Sequence, residues 1–262
     1  MNPTGNKGLM KRFYQTQWQG ISFKDLPRLS TTEVAGKEFY NSFYHEVFRR
    51  YEGYDKLDTM WRYVKNEKAD WIAKRLPLGS RVLSVGCGLG YIEHCLYQEH
   101  KQNFDLHVQD YASDALVWLS RELPASRIHL NAGVGCQTES GMFDYIYLSD
   151  VDYAVEETGM IDLLSDLKKK LRQSGTCLMI SASFLEETPK FAERIKCRGK
   201  EAVKHVLERW GLYHRDQFWG WKRTRSEYRE LMRKAGYLSI SDGFIETPNQ
   251  RSYFIEGRIV AV

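Results

Sequence analysis

From Ser80 onward the chain alternates compact apolar runs with stretches at helical spacing. Val82-Leu-Ser-Val85 is one such run, and it tips directly into Gly86-Cys-Gly-Leu-Gly90. Phe104–Asp110, Arg127–Ala132, Phe143–Ser149 and Thr176–Ala182 repeat the strand-like pattern. Apolar runs of this length, bounded by turn residues, read as buried strands of a parallel sheet. Between them, Met160–Leu171 sets Ile161, Leu164, Leu167 and Leu171 on one helical stripe, closed by Gln173-Ser-Gly175. Alternation of this kind predicts an α/β sheet with helices on both faces. Near the end, Tyr237–Ile245 and Ser252–Val262 are β-rich runs joined by Glu246–Arg251, which reads as a hairpin connection.

Two segments lie outside this core. Before it, Phe39, Tyr40, Phe43, Tyr44, Phe48 and Tyr51 recur at helical spacing, and Trp61–Leu76 forms a second helix leading into the first strand. Those aromatics are either the core face of an amphipathic helix or, at its edge, part of a pocket wall, with Trp61 or Tyr63 at the entrance. After the fifth strand, residues 184–224 exceed what one crossover helix needs. The expected organisation is therefore an N-terminal helical cap over 1–60 and a main domain over 61–262, with an inserted helical cap over about 184–224.

Composition narrows the picture. The chain has 262 residues, 42% of them hydrophobic, which suits one large α/β domain with a cap. No apolar stretch approaches a membrane span, and Met1–Gln19 is polar and basic with no secretory h-region. The five cysteines are scattered without a C-x-x-C pair, so a disulfide framework and structural zinc are not expected, and a cytoplasmic setting is. Net charge is only +4, but residues 190–234 carry 14 Lys/Arg against 6 Asp/Glu, interleaved with Trp210, Tyr213, Phe218, Trp219, Trp221 and Tyr228. Such a segment suits an anionic ligand, or is a solvated helix face with its rings turned inward.

The glycine turn carries the sharpest chemistry. A dinucleotide fingerprint needs G-x-G-x-x-G. Gly86 and Gly88 fit, but Tyr91 occupies the third position and the glycine has moved to Gly90. Twenty residues on, Asp110 ends the next strand, where its two oxygens can accept hydrogen bonds from a ribose diol. It could instead cap a helix starting near Ser113.

Residues 84–90 resemble the first motif of the class I S-adenosylmethionine-dependent methyltransferases, written acid-x-G-x-G-x-G, with Ser84 where that family places Asp or Glu. The resemblance covers about residues 61–183 and 225–262. It implies a Rossmann-like, doubly wound sheet of seven mostly parallel strands with a C-terminal antiparallel hairpin, and S-adenosylmethionine as cofactor. It further implies a cofactor site of Ser84, Gly86, Cys87, Gly88, Gly90, Asp110, Tyr111, Ser149 and Asp150. In the family the acid at position 84 helps hold the methionine amino group, and the loop after the fourth strand faces the transferred methyl. That places Asp150, Asp152 and Tyr153 near the reaction centre. The loop after the third strand departs from the pattern, offering Gly133-Val-Gly135-Cys136-Gln137 in place of an acid.

For proton transfer, His214 in the insertion is the first candidate, with Asp152 and Tyr153, and His45 is the alternative if the N-terminal helix closes the pocket. No His/Asp/Glu cluster has metal-ligand spacing along the chain, so a metal-independent reaction is expected. The implied function is methyl transfer to oxygen or nitrogen of a polar small molecule, such as a sugar nucleotide or phosphorylated metabolite, anionic if the basic segment contacts it. RNA methylation through residues 190–234 is an alternative, disfavoured by the modest overall charge. A non-catalytic partner protein of the same fold is another, supported by Ser84 and opposed by the intact glycines and Asp110.

Overall fold

The computed structural model describes residues 11–130, 140–185 and 216–259, together with 203, 206, 207 and 210. His214, Gln137 and most of the expected insertion lie outside the described residues.

The strands expected from the apolar runs form one sheet. β4 (Ser80–Val85), β5 (Phe104–Asp110), β6 (Ile128–Leu130), β7 (Phe143–Ser149), β8 (Leu171–Ser181), β11 (Ser239–Thr247) and β12 (Gln250–Arg258) lie in the order β11-β12-β8-β7-β4-β5-β6. Four neighbouring pairs are parallel, while β12 runs antiparallel to both β8 and β11. The doubly wound sheet and its terminal hairpin are as expected. Leu171, expected as the last apolar position of a helix, instead opens β8, and the helix ends at Lys170.

Period-two alternation divides β4 between two cores. Leu83 and Val85 pack with α4 (Glu157–Lys170) and α5 (Arg225–Lys234) through Leu163, Leu164, Leu167, Tyr228 and Leu231. Val82 faces α2 (Thr59–Ala73) and α3 (Tyr91–His100) through Ile72, Ile92 and Leu96. Ser84 shares the face of Val82, and so points at α3.

A third, aromatic core ties the N-terminal region to the domain. α1 (Lys37–Arg50) buries Phe39, Tyr40, Phe43, Tyr44 and Val47. Phe43 stacks on Trp18 at 4.7 Å, and Trp219 stacks on Phe23 at 5.1 Å. Trp219 belongs to β10 (Gln217–Thr224), which pairs antiparallel with β1 (Lys11–Gln15) and parallel with the short β9 (Phe184–Leu185). The end of the expected helical insertion is thus a strand. Its aromatic residues Phe218, Trp219 and Trp221 are buried, as is Tyr228 on the following helix, which settles them as inward-facing.

Candidate active site

β4 is the point where strand order reverses, with β5 on one side and β7 on the other. In open α/β sheets the crevice outside the carboxyl ends at such a point is the ligand site. A cavity of about 490 Å³ lies there, within the usual range for a small-molecule site. Its floor is the glycine loop. Gly86, Gly88 and Gly90 all take positive φ, of 70°, 58° and 74°. Space reinforces the conformation: a Cβ on Gly90 would come within 2.2 Å of Leu119. The amides of Gly86 and Cys87 donate to the carbonyl of Gln109, and Tyr54 donates to the carbonyl of Leu89 at 2.8 Å.

Asp110 is 4% exposed in the cavity wall. Its Oδ2 accepts from the Gly88 amide at 2.8 Å and its Oδ1 from the Ala112 amide at 2.9 Å. Burial raises its carboxyl above the usual range, with those amides pulling the other way. The carboxylate therefore fastens the following turn, as the capping alternative requires. Each oxygen also keeps a lone pair for a diol. The residues present fit an adenosine-type ligand: a fixed strand-end carboxylate beside a loop whose glycines carry no side chain into the cavity.

Asp150 sits at φ 61° after β7, and Lys65 and Lys68 of α2 each donate to its Oδ2 at 2.8 Å. Burial opposes its charge, but the two lysines hold its carboxyl well below the ordinary value. The side chain of Lys68 is 1% exposed, and burial lowers its ammonium pKa. The sequence reading missed both lysines. The signal was present, because Lys68 follows Val64 by four positions on the apolar stripe of its helix.

Glu93, also missed, is the other buried acid of the wall, 2% exposed on α3. Ser84 Oγ donates to its Oε1 at 2.6 Å, and the Tyr147 hydroxyl donates to the same oxygen at 2.8 Å. Burial raises its carboxyl above the usual value. Ser84, Cys87, Tyr111, Ser149, Asp150 and Tyr153 line the cavity as the sequence places them.

Much of the rest of the wall is aromatic, built from Trp18, Tyr40, Tyr44, Trp61, Tyr111 and Tyr153. Tyr63 is instead exposed on the outside of α2. Tyr153 stacks on Trp219 at 6.1 Å and meets Phe13 edge-on at 5.6 Å. Burial pushes its hydroxyl pKa well up, with Tyr40 and Asp150 adding to the effect. Tyr153 is thus held as a donor.

Two catalytic candidates are displaced. Asp152 is fully buried and absent from the cavity wall. Its Oδ2 accepts from Ser181 at 2.9 Å and from Tyr228, and buried Arg223 donates to the carbonyls of Asp152 and Val155. It anchors the turn that carries Tyr153. His45 is exposed on α1 beside a separate shallow depression, because the helix turns Tyr40 and Tyr44 inward. One acidic group also departs from the sequence reading. Asp70, Glu99 and His100 bring ligand atoms within 4.8 Å of one another across α2 and α3, on the surface away from the cavity.

A family model described as a methyltransferase domain matches residues 60–241. The chain belongs to that family, and its fold is that of the class I S-adenosylmethionine-dependent methyltransferases, for which S-adenosylmethionine is the cofactor. Among solved structures, it is similar to a Nostoc punctiforme PCC 73102 protein assigned as an O-methyltransferase, at 16% identity and TM-score 0.56. The match covers 87% of this chain and 63% of that one, so the chain spans under two thirds of that relative's length. It is also similar to magnesium protoporphyrin IX methyltransferase from Synechocystis PCC 6803 with bound S-adenosylhomocysteine. There identity is 15%, TM-score 0.56, and coverage 85% of this chain and 97% of that one. A third is phosphoethanolamine N-methyltransferase 2 from Haemonchus contortus, at 14% identity, TM-score 0.50, and 74% and 52% coverage. No curated protein matches the chain.

Proposed function

We propose that the protein transfers the methyl group of S-adenosylmethionine to an oxygen or nitrogen of a small molecule. The observation that carries this reading is the cavity at the β4 switch point, lined by the glycine loop, Asp110 and a set of aromatic side chains. The cofactor supplies an activated sulfonium methyl. The residues present supply alignment and exclusion of water. Asp110 is the acceptor for the ribose hydroxyls, Gly86, Cys87, Gly88 and Gly90 lie along the cofactor, and Ser149 and Tyr111 flank it. Tyr153, held protonated, orients the polar reacting group of the acceptor.

The aromatic wall favours an acceptor with a flat or apolar body carrying that polar group, since rings give large contact area with defined geometry. Four described cations of the basic segment are committed elsewhere. Arg225 and Arg229 both bind Asp242, Arg233 pairs with Glu230, and Lys234 pairs with Glu157. These cations of the basic segment are engaged within the protein. The described cysteines Cys87, Cys95 and Cys177 are free. No helix among the described residues is long and apolar enough to cross a membrane.

The test is calorimetric titration with S-adenosylhomocysteine, followed by a screen of aromatic hydroxy, carboxy and amino acceptors with methyl-labelled cofactor. Micromolar binding that Asp110→Ala abolishes, followed by label transfer, is the expected result. A folded protein that does not bind the ligand overturns the reading.

A further inference from the structure

We propose that Glu93 is the carboxylate that receives the positively charged amino group at the methionine end of the cofactor, in the place that Ser84 leaves uncharged. The proposal rests on the reading of the cavity as an S-adenosylmethionine site.

Four carboxylates line the cavity: Glu93, Asp110, Asp150 and Glu156. Asp150 is already neutralised by two lysines. Asp110 is tied to the amides of Gly88 and Ala112. Glu156 is exposed, so water solvates its charge. Glu93 differs from Asp150 and Glu156 in being buried without a cation, and from Asp110 in that its side-chain hydrogen bonds converge on one oxygen, Oε1. It is 2% exposed, and both of its hydrogen bonds come from neutral hydroxyls. Among the described residues no cation pairs with it, and Lys65 is committed to Asp150. A buried carboxylate without a counter-ion is costly. In a cavity wall, a cationic ligand removes that cost by supplying the missing charge.

The local geometry holds Glu93 ready for that role. It lies in the first turn of α3, where the helix dipole favours negative charge. Ser84 and Tyr147 both grip Oε1, fixing the carboxylate from the sheet side. β4 therefore contributes a hydroxyl that positions an acid, and the helix contributes the acid. The arrangement exchanges the usual places of charge and support without removing the charge.

The test compares two probes, S-adenosylhomocysteine, which carries the amino group, and 5′-methylthioadenosine, which lacks the whole amino-acid arm. Glu93→Gln should weaken the first about 30-fold and leave the second within about 3-fold. The double variant Ser84→Asp, Glu93→Ser should recover most of the lost affinity, which a merely structural role for Glu93 would not predict. If Glu93→Gln binds S-adenosylhomocysteine as tightly as the natural protein, or loses both probes alike, the role of Glu93 is overturned while the cofactor site stands. If the natural protein binds neither probe, the cofactor reading falls and this proposal with it.

Discussion

Gly220 passes directly over the main-chain carbonyl of Tyr153, so close that a Cβ on the glycine would sit 1.9 Å from that oxygen. The contact welds β10 to the turn that presents Tyr153 to the cavity, and only a residue without a side chain permits it. Gly220 also has φ 147°, a region that side chains avoid. Gly220→Ala should cost about 3 kcal/mol or more, through overpacking added to backbone strain. Gly79→Ala is the control, because Gly79 has φ 74° but open space around it, and it should cost only about 1 to 2 kcal/mol. Urea unfolding of both variants measures the difference, and equal losses would refute the steric account.

The Lys65–Asp150–Lys68 cluster predicts an asymmetry. Asp150→Asn leaves two lysines, one fully buried, without their shared carboxylate. It should destabilise by about 3 kcal/mol and lower Tm by about 10 °C. Lys68→Met keeps the Lys65–Asp150 pair and replaces a buried ammonium with an apolar chain of similar length. It should change stability by less than about 1 kcal/mol. Thermal unfolding of the two variants side by side tests this.

Asp242 links the terminal hairpin to α5. It is 1% exposed at its side chain and accepts from Arg225, Arg229 and Tyr253. Burial opposes its charge, but those three donors hold its carboxyl well below the ordinary range. A carboxyl lowered in the folded state contributes stability that is complete above its unfolded value, about 3.9. The contribution is lost as pH falls from there toward the lowered folded value. Asp242→Asn should therefore be less stable than the natural protein at pH 7, by about 1 to 2 kcal/mol. The two stability curves should draw together as pH falls below about 4 and meet only once it has passed the lowered folded value. Denaturant melts across that range supply the measurement, and a constant gap in acid would contradict the assignment.

Trp219 is the ring on which the cap and the cavity wall meet, stacked between Phe23 and Tyr153. Trp219→Ala should cost about 3 to 5 kcal/mol through the void it leaves. With Asp110 and the glycine loop untouched, affinity for S-adenosylhomocysteine in the surviving folded fraction should fall less than it does in Asp110→Ala. Paired Tm and calorimetry measurements separate the two effects.

The parallel core was legible because its strands are buried on both faces. Phe143–Ser149 is apolar but for Asp144 and its terminal serine, Phe104–Asp110 alternates Phe, Leu and Val with polar residues, and both strands have the expected bounds. The glycine loop and Asp110 were legible because their chemistry is local in sequence. The partners that complete the site come from elsewhere in the chain. Lys65 and Lys68 meet Asp150 across about eighty residues. Only the facing of Ser84 toward α3, a consequence of strand pleat, shows that Glu93 stands beside it. The residues 217–224 were read as helical cap because charge and rings at irregular spacing carry no period. Their strand conformation is set by a distant partner, β1.

That pairing has a consequence for how the molecule comes into being. Lys11 is opposite Lys222, and Gln15 opposite Gln217, so the β1 segment must wait for one made about two hundred residues later. Contacts of such long sequence separation form slowly, after local ones. On the ribosome, strands β4 to β8 can assemble while the β1 segment still lacks its neighbour. The glycine loop and Asp110 can then be in place before β10 closes against β1 and against the turn that carries Tyr153. A truncated or stalled chain ending before residue 217 would carry the glycine loop and Asp110 but leave β1 unpaired and Tyr153 without its Trp219 neighbour.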